Sequence, residues 1–177
     1  VLGEVREGLK WLFQTKEEVL VFAASGTGCM EGAVANICSP GDRALVIRGG
    51  NFGERWANIC QAYGVQVTNI DIEWGTAVTP EQIADALKAD DSIAAVLTTL
   101  VETSTGVLTD IEAVGKVVAE TNALLIVDGI SGVGAVECRV DDWAIDVLVV
   151  GSQKALMTPP GLAYITLSDK AWAKVDS

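Results

Sequence analysis

The sequence predicts an α/β protein of three-layer α/β/α architecture, with helices on both faces of a mostly parallel, seven-stranded sheet. Strand-length apolar runs recur along the chain, at 19–22, 43–47, 66–70, 93–98, 124–127, 146–150 and 162–166. Most are near-continuous in Val, Ile and Leu rather than alternating, the pattern of strands buried on both faces. Between them lie amphipathic stretches at 27–38, 53–63, 80–88 and 111–121, the crossover helices that parallel strands require.

Each element has a local reason. The leading segment, 2–13, places Val5, Leu9, Leu12 and Phe13 at helical spacing, so it is expected to pack on the sheet or against a partner. Thr79-Pro80-Glu81-Gln82 puts proline at a first helical position, and Asp110 stands before the apolar period of the next helix. Too few residues join the last two strands for another helix. The final strand is therefore expected to run antiparallel, as sheet-edge strands often do. No repeat, low-complexity tract or linker divides the chain, so residues 1–177 are read as one domain.

Half of the 177 residues are hydrophobic, enough for one good core. Lys and Arg number 12 against 24 Asp and Glu, a net charge of −12 that argues against nucleic acid or an anionic membrane surface as partner. A small anionic ligand remains compatible, because a helix N-terminus can hold a phosphate on an acidic protein. The four cysteines, Cys29, Cys38, Cys60 and Cys138, form no CxxC, and histidine is absent, so no zinc site is expected. They read as reduced, buried thiols in a cytoplasmic protein. No signal peptide or membrane span is present in the sequence. The chain opens on Val1 without an initiator methionine and is read as a piece of something longer.

Residues 124–161 carry the most chemistry. One apolar run ends in Asp128, and another ends in Gly151-Ser152-Gln153-Lys154, followed by Pro159-Pro160-Gly161. Parallel strands deliver their last residues to the sheet edge where open α/β folds bind ligands. An acid and an amine arriving there together match what pyridoxal phosphate (PLP) asks of a protein: a lysine for its carbonyl and an aspartate for its pyridinium nitrogen. The plain alternative for Lys154 is a solvated loop lysine. Its small and apolar neighbours instead predict a packed setting, which would depress the amine's pKa and make it nucleophilic. Asp128 ends a strand too apolar for an idle charge, so it needs a partner, an arginine or helix cap if not a ligand.

Other segments stand after strands in the same way. Ser25-Gly26-Thr27-Gly28-Cys29-Met30-Glu31-Gly32 offers glycines and a hydroxyl at a helix start, a setting for phosphate. Its spacing also fits a dinucleotide loop, but Arg48 stands where the ribose-binding acid belongs, and there is no Gly-Lys-Ser/Thr for a Walker A loop. Phe52, in a glycine-flanked loop, can stack on a flat ring or be a core residue. Val101-Glu102-Thr103-Ser104-Thr105-Gly106 adds hydroxyls and an acid, or is simply a polar turn.

Together, SGTGCMEG, NFGERW, ETSTG, VDGISGVG and GSQKALMTPPG resemble the class V aminotransferases of PLP fold type I. Within these they are similar to the alanine–glyoxylate/serine–pyruvate aminotransferase family, which includes cyanobacterial and archaeal members once labelled a soluble hydrogenase subunit. The resemblance covers essentially the whole chain, and Gly-Ser-Gln-Lys with the trailing Pro-Pro-Gly is its most specific part. It implies Lys154 as the cofactor-bearing lysine and Asp128 as the pyridinium partner. Thr27, Gly28, Cys29 and Gln153 would line the phosphate. Phe52 would stack on the ring where well-known members carry tryptophan, with Ile130 on the other face and Thr103 at the polar edge. Cys29 stands where relatives often have histidine and is expected to offer only its backbone.

The resemblance also implies that the chain is an incomplete PLP-binding large domain, without an N-terminal arm and C-terminal small domain. The family's substrate-carboxylate arginine lies in those parts, as do the tyrosine and threonine that reach the phosphate from the other subunit. The chain alone is therefore expected not to transaminate. The activity implied for the parent is amino transfer between alanine or serine and glyoxylate or pyruvate, in a homodimer. A cysteine desulfurase or lyase of the same class fits less well, because Phe52 and Gln153 stand where those relatives usually carry histidine. A nucleotide-binding oxidoreductase built on Gly26–Gly32 leaves Lys154 and Asp128 unexplained, and a non-catalytic scaffold would bind no PLP.

Overall fold

A computed structural model of the chain describes residues 1–176. The elements run α1 (Leu2–Phe13), β1 (Val19–Phe22), α2 (Gly26–Ile37), β2 (Arg43–Arg48), α3 (Asn51–Ala62), β3 (Gln66–Asp71), α4 (Pro80–Ala89), β4 (Ile93–Thr99), β5 (Val101–Glu102), β6 (Val107–Leu108), α5 (Ile111–Ala119), β7 (Leu124–Asp128), β8 (Val147–Gly151), β9 (Ala163–Leu167) and α6 (Asp169–Val175). A seven-stranded sheet has the order β1-β9-β8-β7-β4-β2-β3. Only β9 opposes its neighbours, pairing antiparallel with both β1 and β8.

The sheet separates two apolar layers, and strand periodicity assigns side chains to them. Leu125, Val127, Leu148 and Val150 face the layer built with Leu9 and Phe13 of α1, Ile83 of α4 and Val114 of α5. Leu124, Ile126, Val147 and Val149 face the opposite layer, with Met30 of α2 and Trp56 of α3. Burial on both sides is why β7 and β8 read as unbroken apolar runs. Among the described residues, no helix is long and apolar enough to cross a membrane.

Several elements depart from expectation for identifiable reasons. The final strand is antiparallel as expected, but it lies inside the sheet and not at its edge, because β1 pairs along its outer side. That position explains its full burial, including Tyr164 and Thr166. Helix α1 buries Leu9 and Phe13, whereas Val5 stays exposed. The polar segment after β4 forms the hairpin β5–β6, with Gly106 at φ 76° in its turn. Helix α4 starts with Pro80 at its first turn as expected, and Thr79 and Gln82 cap it reciprocally.

Gly115 shows how closely α5 seats on the chain. A methyl group there would overlap the Trp143 carbonyl and lie 3.7 Å from Leu125 Cδ2. Alanine would favour the helix by about 1 kcal/mol, but the overlap with rigid backbone costs more. Gly115→Ala should lower stability by about 1–3 kcal/mol in urea unfolding; a variant as stable as the parent would show that α5 is not held this tightly.

Candidate active site

Strands β1, β4, β7 and β8 point their carboxyl ends the same way, so the loops leaving them gather at one edge of the sheet. Asp128 is the last residue of β7, in register with Thr99 of β4 and Val149 of β8. It is 5% exposed. Its Oδ1 accepts the Ile130 amide at 2.8 Å; among the described residues nothing hydrogen-bonds Oδ2. Burial pushes the carboxyl pKa up to about 7, with nearby Glu102 adding to the rise; the Ile130 amide, Arg55 and Lys154 oppose it.

Lys154 lies after β8 on a loop tied down by Ser152, which is fully buried. Ser152 N–H donates to the Leu162 carbonyl, its Oγ donates to the Pro159 carbonyl at 2.7 Å, and its carbonyl accepts from Thr158 Oγ1 at 2.8 Å. The scaffold under the lysine is thus rigid, but the lysine is not packed. Lys154 and Gln153 are both exposed, contrary to the apolar surroundings expected for the amine. The residues around it are small because the loop turns sharply, not because they enclose it.

Two helices open toward the same edge and treat their N-termini differently. At α3 the cap is Gly50, which has no side chain, and the first amides are satisfied from the β5–β6 hairpin. Ser104 Oγ accepts from Asn51 N–H at 3.1 Å, and Glu102 accepts from Phe52 N–H at 3.2 Å and Gly53 N–H at 3.0 Å. Glu102 is 3% exposed and also takes the Ser104 hydroxyl at 2.6 Å. A Cβ on Gly50 would come within 2.6 Å of the Glu102 side chain, so glycine is required there. Helix α3 therefore carries its own anion.

Helix α2 does not. Ser25 caps it by accepting Gly28 N–H at 3.2 Å, its first turn holds no acid, and no hydrogen bond occupies the Gly26 or Thr27 amide among the described residues. Those amides make an open anion site. Cys29, expected to line a phosphate through its backbone, donates its N–H to the Ser25 carbonyl at 3.2 Å. Its thiol is buried, with a pKa raised to about 11. Gly28 N–H is likewise engaged, by Ser25 Oγ, whereas the Gly26 and Thr27 amides have no partner among the described residues. Beside them Ile130 fills the space a Gly26 side chain would need, 2.5 Å from such a Cβ, and lies 3.3 Å from one built on Gly151.

The remaining expected residues fall at the same edge. Phe52 is half-buried in the first turn of α3, with the Arg55 guanidinium carbon 4.6 Å from its ring centroid. Thr103 is exposed and shares a hydrogen bond with Ser131 Oγ. Sequence reasoning gave Glu102 and Arg55 no individual role, although both lie within the motifs. Arg55 stands three residues after Phe52, a spacing that already places both on one helix face. A flat ring bearing a basic nitrogen and a phosphate fits this donor set: a half-satisfied buried carboxylate, an unfilled helix N-terminus, an aromatic face and a lysine.

Known proteins agree with the geometry. The family model for class V aminotransferases (Aminotransferase class-V) matches residues 1–177, and the chain belongs to that family. It is 44% identical over 175 residues to a protein named the soluble hydrogenase small subunit of Synechococcus sp. (strain PCC 6716), covering 97% of this chain and 46% of that one. It is 42% identical to the L-aspartate–glyoxylate aminotransferase of Paracoccus denitrificans, covering 100% of this chain and 46% of the relative. The crystal structure of an alanine–glyoxylate aminotransferase from Nostoc sp. superposes with a TM-score of 0.95 at 32% identity, over 98% of this chain and 46% of that one. The chain thus spans about half the length of the curated relatives it matches.

Asp128 makes stability depend on pH. The folded protein holds its proton more tightly than the unfolded chain, so the stability this gives is complete below the ordinary carboxyl value of 3.8 and is lost as pH rises through about 7. Asp128→Asn mimics the neutral acid and keeps an acceptor for Ile130. Without cofactor, the variant should match the parent near pH 4 and exceed it by about 2–4 kcal/mol at pH 8, at about 1.4 kcal/mol per pH unit. Denaturant titrations at the two pH values check this; equal stability at pH 8 would mean that Asp128 ionises without cost.

Proposed function

We propose that the protein of which this chain forms the cofactor-binding domain is a PLP-dependent aminotransferase, moving an amino group between alanine or serine and glyoxylate or pyruvate. The observation that carries the reading is Asp128, a buried carboxylate with one oxygen unpartnered among the described residues, beside a lysine on a rigid loop. Family membership supports it, and so do two relatives whose names share glyoxylate and differ in the amino donor. By the same reading the protein is cytoplasmic and acts as a homodimer on small amino and 2-oxo acids.

In this function Asp128 would pair with the protonated ring nitrogen, and that cationic partner would keep the carboxylate ionised despite burial. The N-terminal turn of α2, with the free amides of Gly26 and Thr27 beside Gly28 and Cys29, would hold the phosphate, with Gln153 near it. Phe52 and Ile130 bound the ring's faces, and Thr103 meets its polar edge. Bound there, the cofactor supplies an electron sink for the pair released at the substrate Cα. Lys154 would be the residue that holds the cofactor's carbonyl, and its amine would carry the Cα proton between the substrate and product sides. A dinucleotide reading is disfavoured by Arg48 at the end of β2, ion-paired with Asp71 at 2.6 Å where an acid would bind ribose.

Borohydride reduction in the presence of PLP, with peptide mapping afterwards, should place the pyridoxyl group on Lys154. Label on a different lysine, or tight NAD binding without PLP, would contradict the assignment. In the whole protein, Asp128→Ala should lower kcat by about 100-fold or more while much of the cofactor is retained, because the pairing matters most as charge develops on the ring. Near-normal turnover would make the aspartate structural.

A further inference from the structure

Most arginines near the sheet edges are neutralised within the chain: Arg43 pairs with Asp90, Arg48 with Asp71 and Arg139 with Glu137. Arg55 is an exception. Its half-buried guanidinium makes no salt bridge among the described residues, in a chain with 24 acidic side chains. It makes two other interactions instead. Nη1 donates to Thr27 Oγ1 at 2.9 Å, and the guanidinium lies over the Phe52 ring, 4.6 Å from the centroid. One cation thus ties the open end of α2 to the aromatic residue of α3.

The hydrogen bond has only one possible direction. A guanidinium donates and cannot accept, so Thr27 Oγ1 is the acceptor and its own proton must point elsewhere. That hydroxyl has no other partner among the described residues, and it stands beside the unused amides of Gly26 and Thr27. An unpaired cation, free amides and a hydroxyl with its proton unused converge there, and among the described residues no carboxylate forms an ion pair with that cation.

We propose that Arg55 is a positioning residue for the cofactor's phosphate: by donating to Thr27 Oγ1 it fixes the threonine hydroxyl as a phosphate donor, and by stacking on Phe52 it holds the phosphate and ring contacts in one geometry. This rests on the reading that PLP binds at this edge. Arg55 acts through Thr27, so its effect requires both the Thr27 hydroxyl and a phosphate on the ligand.

The test is a double-mutant cycle in the whole protein, with dissociation constants of PLP and of pyridoxal, which lacks the phosphate, measured by absorbance titration. Arg55→Met and Thr27→Val should each weaken PLP binding about tenfold, the scale of one hydrogen bond to a charged group. The double variant should be little worse than either single one, and pyridoxal binding should change by less than about twofold. If Arg55→Met unfolds, Arg55→Lys, which keeps the charge without the planar fork, takes its place in the same cycle with a smaller loss of the same sign. Losses that add would show Arg55 acting independently of Thr27, and equal losses for PLP and pyridoxal would show a general structural role. Either overturns the Arg55 proposal and leaves the function standing. Absence of PLP binding by the unsubstituted protein overturns both.

Discussion

The site depends on a carboxylate that the fold buries and then only half satisfies. Strand β7 has helices on both faces, so its last residue is largely shielded from water, and Asp128 stands there with one oxygen bonded to the Ile130 amide and the other unpartnered among the described residues. An idle charge in such a place costs several kcal/mol, and the carboxyl answers by holding its proton to about pH 7. The same desolvation makes the position useful. A cationic ring nitrogen brought to Oδ2 would meet a poorly solvated acceptor, and the carboxylate would keep that nitrogen protonated so that the ring can accept electrons.

Around this carboxylate the chain distributes its other charges by need. Glu102 closes the N-terminus of α3 from inside the protein, and so fixes the backbone on which Phe52 sits. Helix α2 is left open at Gly26 and Thr27, with no acid in its first turn, and Arg55 reaches its Thr27 from α3 without a carboxylate of its own among the described residues. In a protein of net charge −12, that local reserve of positive potential separates an anion site from the acidic surface around it.

Much of this was legible in the sequence because burial writes itself into strand composition. The apolar runs before Asp128 and Lys154 located both residues at one edge, and the helices between the strands implied the parallel sheet. What could not be read was non-local. The interior place of β9 depends on pairing with β1, more than a hundred positions away in the chain, and no local pattern encodes that. Helix α3 begins at Asn51, earlier than its apolar period suggested, because Glu102 caps it from another element. Which amides at the start of α2 carry a partner could not be read either, since glycine spacing shows that a helix starts but not which of its amides remain free. The exposure of Lys154 was missed for a related reason: the small residues beside it serve the loop's turns, and a sequence does not distinguish tight turning from tight packing.

The most direct test of the central claim is to track the Asp128 carboxyl itself by carbon-13 NMR, comparing aspartate-labelled parent and Asp128→Asn protein to assign the signal, with and without PLP. The account predicts that without cofactor the carboxyl titrates near pH 7, and that with PLP bound it stays ionised from about pH 5 upward, as a paired carboxylate does. Titration near the ordinary value of 3.8 in the free protein, or a proton retained with cofactor bound, would contradict it.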